Sequence, residues 1–156
     1  MHREPTQPPS AEGLHATIVV SGYHSAITEH LLDGARTAFV TAGGCAENLT
    51  VIDAPGAWEL PQLCAALAAQ GGMDAIVALG CVITGETTHD RVIADAIARG
   101  LMRVSIDFRC AVGFGVLTCG NLEQAAARAG GDKGNKGEEA MVAAIATAVE
   151  LAGMDA

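Results

Sequence analysis

The residues best suited to chemistry in this chain lie in one short polar turn, residues 85–88, and in His89, which follows it. A glycine and small polar residues at a helix start leave backbone N–H groups free beside the positive end of the helix dipole, and such a turn binds phosphate or carboxylate. His89 is of the residue type that most often transfers protons in enzymes. No complete phosphate-loop or dinucleotide motif frames the turn, so an ordinary threonine cap is the alternative interpretation.

Aromatic side chains are scarce, and three of the five, Tyr23, Trp58 and Phe114, fall at the ends of predicted strands or inside one. A flat aromatic face is a good platform for a planar heterocycle, although core or interface packing explains the same residues. Glu59 follows Trp58 at the start of a predicted helix. Its carboxylate could accept hydrogen bonds from a polyol, or it could only complement the helix dipole.

Two cations, Arg128 and Lys136, flank a glycine-rich segment predicted to be a loop, residues 130–137. Either could supply positive charge to an anion. The alternatives are a cation at a helix carboxyl end and a solvated loop lysine. The sequence has no nucleophile-elbow motif, no H-E-x-x-H and no carboxylate cluster for a metal. The residues alone therefore indicate a flat-ring platform, a phosphate-ready turn and one well-placed histidine.

The elements that must position these residues alternate between strand and helix four times. Short apolar runs predict strands, and apolar residues at helical spacing predict helices. The predicted strands are 16–21, 49–53, 74–83 and 111–118, and the predicted helices are 25–41, 58–69, 89–105, 121–129 and 138–151. This order predicts a three-layer α/β/α, flavodoxin-like fold with a four-stranded parallel sheet. Ligands bind outside the carboxyl ends of such strands.

Length and charge limit the remaining possibilities. A chain of 156 residues fits one domain, which we place at residues 15–156 after a flexible, proline-containing N-terminal arm, residues 1–14. A net charge of −9 argues against nucleic acid as a partner. No segment approaches the roughly 20 apolar residues of a membrane span, and the N-terminus does not resemble a secretory signal. The five cysteines have no C-x-x-C spacing, which favours a reducing cytoplasm.

Several segments together resemble one enzyme family. APGAWELP (54–61) is similar to the PGAFEIP signature of the 6,7-dimethyl-8-ribityllumazine synthases, and ALGCVITGETTHD (78–90) is similar to their ALGxVIRGxTxHxD signature. FGVLT (114–118), LEQAAARAG (122–130) and GNKGEEA (134–140) also match in order and spacing. The resemblance extends over residues 17–152, nearly the whole predicted domain.

This resemblance implies a role for each candidate residue. Those that would hold a pyrimidinedione ring and its ribityl chain are Tyr23, Ala57, Trp58, Glu59, Cys81, Val82 and Ile83, with Phe114 from an adjacent subunit. Those that would hold a phosphate are Gly85, Glu86 and Thr87, with Arg128 from a neighbouring subunit and Lys136 nearby. His89 matches the proton-transfer histidine, and Cys81 is interpreted as pocket lining and not as a nucleophile.

The implied reaction condenses 5-amino-6-(D-ribitylamino)uracil with 3,4-dihydroxy-2-butanone 4-phosphate and uses neither a metal nor an organic cofactor. The resemblance also implies a homo-oligomer, either a pentamer or a sixty-subunit shell of pentamers, with riboflavin synthase as a candidate partner. Two alternatives remain open at this point: a non-catalytic paralogue that binds flavin or lumazine, and a mainly structural shell protein.

Three departures from the family pattern bear on the predicted site. Thr84 stands where the motif has arginine, which removes one charge near the predicted pocket. His24 stands where many members have asparagine, and Tyr23 replaces the commoner phenylalanine or tryptophan. The last two changes retain a polar group and a ring, respectively.

Overall fold

A four-stranded, all-parallel sheet forms the centre of the structure, a computed structural model that describes residues 9–156. The strand order is β2-β1-β3-β4. The strands are β1 (Ala16–Ser21), β2 (Leu49–Ala54), β3 (Ala75–Ile83) and β4 (Ala111–Cys119). The predicted parallel sheet is therefore confirmed, and each strand agrees with its predicted range to within one residue.

Helices cover both faces of this sheet and form the predicted three layers. They are α1 (Ser25–Thr41), α2 (Leu60–Gln70), α3 (His89–Phe108), α4 (Leu122–Arg128) and α5 (Lys136–Met154). One core lies between the sheet and α1 with α5, and a second lies between the sheet and α2 with α3. Alternate residues of β3, such as Val77 and Ala78, enter opposite cores. A strand buried on both faces explains why β3 is an almost continuous apolar run.

The glycine-rich segment before α5 is not the simple loop that the sequence predicts. It contains a small antiparallel hairpin of β5 (Ala129–Gly131) and β6 (Gly134–Asn135). The last helix then begins at Lys136, two residues before its predicted start. The reason is Asn135, whose Oδ1 accepts from the backbone N–H groups of Gly137 at 2.9 Å and Glu138 at 3.2 Å. A side-chain cap of this kind satisfies donors that a helix start leaves open.

The same asparagine also holds α5 against α1. Its Nδ2 donates to the backbone oxygen of His30 at 2.8 Å. Two residues after Asn135, Gly137 lies so close to α1 that a Cβ atom there would be 2.0 Å from the backbone oxygen of Leu31. The α1–α5 layer is therefore held together by a close backbone approach that only glycine permits.

The predicted N-terminal arm is only partly described, because residues 1–8 lie outside the described residues. Of the remainder, Ala11 is completely buried and its backbone N–H donates to Ala42 O at 2.8 Å. Residues 9–14 thus contact the carboxyl end of α1, and the domain boundary at residue 14 stays a prediction. Within residues 9–156, no helix is both long enough and apolar enough to cross a membrane.

Candidate active site

A cavity of about 530 Å³ opens where the strand order reverses, at the carboxyl ends of β1 and β3. Connections from these two neighbouring strands run to opposite sides of the sheet, so a crevice forms between them. The volume suits a small organic ligand. The fold thus places a concave site at the edge where the sequence predicts one.

Nine of the fourteen residues predicted for the site line this cavity. They are Tyr23, Ala57, Trp58, Cys81, Val82, Ile83, Gly85, Thr87 and His89. They come from three stretches of chain that follow β1, β2 and β3. Parallel strands bring their carboxyl ends to one edge, which is why residues so distant in sequence meet.

The end of β1 supplies an aromatic ring in an accessible position. Tyr23 is 67% exposed, and its ring meets the ring of His24 edge to face with 4.7 Å between centroids. His24 has φ 58° and ψ 45°, in the left-handed region, where histidine and asparagine are found more often than most residues. It also lines the cavity, although the sequence analysis did not place it in the site; its position at a strand end was the available signal.

The segment after β2 is a 3-10 turn, so α2 starts at Leu60 and not at Trp58 as predicted. Trp58 lies in this turn and is 58% exposed, which leaves its ring face open to a ligand. Glu59 does not line the cavity. A Cβ added to Gly56, which does line it, would lie 3.1 Å from Glu59 Oε2. The Glu59 carboxylate is therefore at the rim of the cavity.

The last residues of β3 form an apolar wall that includes one thiol, Cys81. Burial, and secondarily the neighbouring Cys119, raise the pKa of Cys81 to about 11. Burial, together with Cys110, likewise raises the pKa of Cys64 to about 12. Only the thiolate is a good nucleophile, and both groups are protonated at neutral pH.

We expect Cys64 and Cys81 of the native protein to resist alkylation by iodoacetamide at pH 7.5. This pH lies far below both pKa values, so almost none of either thiol is present as the reactive thiolate. The exposed Cys45 is expected to react. Mass spectrometry of digested protein would locate the label, with urea-unfolded protein as the control in which all five cysteines react. Rapid labelling of native Cys81 would contradict its assignment as inert lining.

The polar turn after β3 begins α3 beside the cavity. Thr87 Oγ1 accepts from the backbone N–H of His89 at 3.3 Å, whereas Thr88, the residue directly before the helix, makes no side-chain capping bond. Gly85 and Thr87 line the cavity, whereas Glu86 does not. Asp90 and Ile93, from the first turns of α3, line it as well and were missed by the sequence analysis. Ile93 lies four residues after His89, about one helical turn, which was the signal available for it.

Three predicted residues lie away from this cavity within one chain: Phe114, Arg128 and Lys136. Phe114 is in the edge strand β4 and is 44% exposed. Arg128 ends α4, where its Nη1 donates to Gln124 O at 3.0 Å, and Lys136 begins α5, where it pairs with Glu139. A single chain therefore supplies two aromatic rings, the turn and the histidine, but neither of the predicted phosphate-binding cations.

A second cavity, of about 980 Å³, lies between the start of α1, α4 and the β5–β6 hairpin. Among the predicted site residues only Tyr23 borders it, so the predicted chemistry is concentrated in the smaller cavity. Across residues 9–156, no three His, Cys, Asp or Glu side chains lie together in a way that could hold a metal ion.

The fold and the cavity define a doubly wound α/β protein that binds a small molecule at the carboxyl edge of its sheet. Sequence comparison narrows this class. The model of the 6,7-dimethyl-8-ribityllumazine synthase family matches residues 13–152. The chain belongs to this family.

Individual relatives agree with the family match. The chain is 47% identical over 134 residues to a 6,7-dimethyl-8-ribityllumazine synthase of Stenotrophomonas maltophilia, covering 86% of each chain. It is 41% identical over 136 residues to the protein of that name from Aquifex aeolicus, covering 87% of this chain and 88% of the relative. The corresponding protein of Gemmatimonas aurantiaca is 44% identical over 137 residues, covering 88% and 84%.

Proposed function

We propose that this chain is a lumazine synthase, which condenses 5-amino-6-(D-ribitylamino)uracil with 3,4-dihydroxy-2-butanone 4-phosphate to give 6,7-dimethyl-8-ribityllumazine. One observation carries the proposal: nine of the predicted site residues, from three separate stretches, line a single cavity at the switch point of the sheet. This reaction is the penultimate step of riboflavin biosynthesis. The proposed localisation of the protein is cytoplasmic.

The ring substrate would lie against the aromatic and apolar part of the cavity. Tyr23 and Trp58 offer exposed ring faces, and Val82 and Ile83 form the wall beside them. Planar heterocycles stack well on such surfaces. Glu59, at the rim, is in a suitable place to accept hydrogen bonds from the ribityl hydroxyls.

The phosphate would lie at the turn that begins α3. Backbone N–H groups of residues 85–87 and the positive end of a 20-residue helix favour an anion there. Arg128 and Lys136 would add the positive charge that neutralises the phosphate. Phe114 would cover the side of the cavity that holds the substrate ring. Since these three lie outside the cavity of their own chain, we propose that a neighbouring copy supplies them. The active unit is then a homo-oligomer, a pentamer or a shell of pentamers.

The reaction needs two substrates in one orientation and several proton transfers. The amine attacks the ketone to form an imine, phosphate leaves, and the second nitrogen closes the ring; imine formation and ring closure each release one water. Holding both reactants in a fixed geometry supplies much of the rate. His89, beside the turn, accepts and returns protons during these steps. The proposed steps use no metal or organic cofactor.

The test is lumazine formation by the purified protein from the two substrates, followed by absorbance or fluorescence. His89→Ala is expected to lower kcat by roughly tenfold to a hundredfold, at or below the usual range for general acid–base groups, because orientation remains intact. His15→Ala, on the opposite edge of the sheet before β1, is the matched control and should leave kcat unchanged. A wild-type protein that binds riboflavin tightly without turnover would overturn the enzyme proposal.

A further inference from the structure

The turn between β3 and α3 has little packing to hold its shape. Residues 84–89 are all exposed, and a Cβ atom added at Gly85 would meet nothing within 4 Å. An exposed turn without packing keeps a single conformation only if hydrogen bonds fix it, because ordering its backbone costs conformational entropy. The bonds that cross this turn therefore decide whether its N–H groups are in place before a ligand arrives.

Thr84 makes two of these bonds, to two different elements. Its backbone N–H donates to Cys119 O at 2.9 Å, which extends the β3–β4 pairing by one residue. Its Oγ1 donates to Asp90 Oδ2 at 3.0 Å, in the first turn of α3. Thr84 thus connects the ends of two strands to the start of the helix. One further side-chain hydrogen bond lies inside the turn: the backbone N–H of His89 donates to Thr87 Oγ1 at 3.3 Å.

We propose that Thr84 is a positioning residue, whose bond to Asp90 fixes the turn in the shape that presents its backbone N–H groups to a phosphate. This inference rests on the function proposed above and concerns the position at which the chain departs from the family motif. A hydroxyl that donates to a carboxylate forms a charge-assisted bond, which is stronger than a neutral one. A turn already fixed in its binding shape loses less entropy when the ligand binds.

The contribution of the hydroxyl can be isolated with two variants of the exposed side chain. Thr84→Val keeps the shape and removes the donor, whereas Thr84→Ser keeps the donor. We expect Thr84→Val to raise both the KM for the phosphorylated ketone and the inhibition constant of inorganic phosphate by roughly three- to tenfold, the usual effect of one such bond. The KM for the pyrimidine amine should stay unchanged, and Thr84→Ser should resemble the wild type.

A double-mutant cycle adds a second readout. If the bond is responsible, Asp90→Ala should abolish the difference between Thr84 and Thr84→Val, because the partner is already absent. Additive effects would show that the two residues act separately and would overturn the inference. So would a Thr84→Val protein with wild-type constants, or a Thr84→Ser protein as impaired as Thr84→Val.

Failure of the proposed function is distinguishable from failure of this inference. If the wild-type protein forms no lumazine, the function proposal fails, and titration calorimetry with inorganic phosphate tests the bond instead. Weaker phosphate binding by Thr84→Val than by the wild type would support the positioning role. Equal binding by both proteins, or none by either, would overturn it.

Discussion

Replacing Arg128 by alanine is expected to lower kcat/KM for the phosphorylated ketone by roughly thirtyfold to several thousandfold. A cation that pairs with a bound dianion in a partly enclosed site contributes strongly, and removing one partner of such a pair typically costs about 2–5 kcal/mol. The KM for the pyrimidine amine should change little, because Arg128 is assigned to the phosphate end. Steady-state kinetics with each substrate varied in turn would measure both effects.

Arg36→Ala is the matched control for this change in charge. Arg36 lies on the exposed side of α1, roughly 16 Å along the helix from its end near the cavity. Its removal should leave kcat/KM unchanged. If Arg128→Ala and Arg36→Ala were equally active, the assignment of Arg128 to the phosphate would be wrong.

Mixed assemblies test whether Arg128 acts on a neighbour's cavity. Chains with His89→Ala lack the histidine side of the site, and chains with Arg128→Ala lack the arginine side. Both variants are unfolded together in equal amounts and allowed to reassemble. If neighbouring chains contact head to tail, about a quarter of the sites then combine wild-type His89 from one chain with wild-type Arg128 from its neighbour. Activity should then rise well above that of either variant alone. No gain in a mixture shown to contain both chains would contradict a site shared between subunits.

Replacing Gly137 by alanine is expected to destabilise the fold by about 3 kcal/mol or more, at the upper end of the range for overpacking. The new Cβ would lie 2.0 Å from Leu31 O and 2.7 Å from Leu31 C, and backbone atoms cannot move aside as a flexible side chain can. A change of this size lowers Tm by roughly 6–12 °C in a chain of this length. Thermal unfolding at a fixed protein concentration would show it.

Gly153→Ala provides the comparison within the same helix. A Cβ there would meet nothing within 4 Å, so the substitution only adds a better helix former near the end of α5. Its Tm should match or slightly exceed that of the wild type. Equal Tm values for Gly137→Ala and Gly153→Ala would mean that α1 and α5 do not approach as closely as described.

The sheet could be predicted from the sequence because its strands carry a strong local signal. The β-branched run of β1 and the apolar run of β3 are short, bounded by polar or glycine residues, and separated by helical periodicity. The start of α5 could not be placed in the same way. Asn135 caps α5 through local bonds but lies among glycines that indicate a loop, and its additional bond to the backbone oxygen of His30 joins it to a distant helix. Such a tertiary contact leaves no local pattern.

The site was predictable to the extent that it lies at strand ends. Tyr23, Trp58 and His89 follow three parallel strands, and topology alone brings them to one edge. The residues alone singled out Phe114 as an aromatic ring and Arg128 as a cation, but their places in the site were assigned through the family resemblance, and one chain does not bring them to the cavity. The Thr84–Asp90 bond was invisible in the sequence, because a threonine and an aspartate six residues apart meet only when the turn folds back.

The edge strand β4 has a further consequence, for the fate of newly made chains. Its nine residues, AVGFGVLTC, contain no charge and no proline, whereas the opposite edge strand β2 contains Asp53. Charges and prolines are the usual protection of an exposed edge against pairing with a foreign strand. In the proposed homo-oligomer a neighbour would cover Phe114 and the edge beside it, so that before assembly correct association would compete with aggregation for the same surface. The yield of soluble protein would then depend on how fast copies of this chain associate.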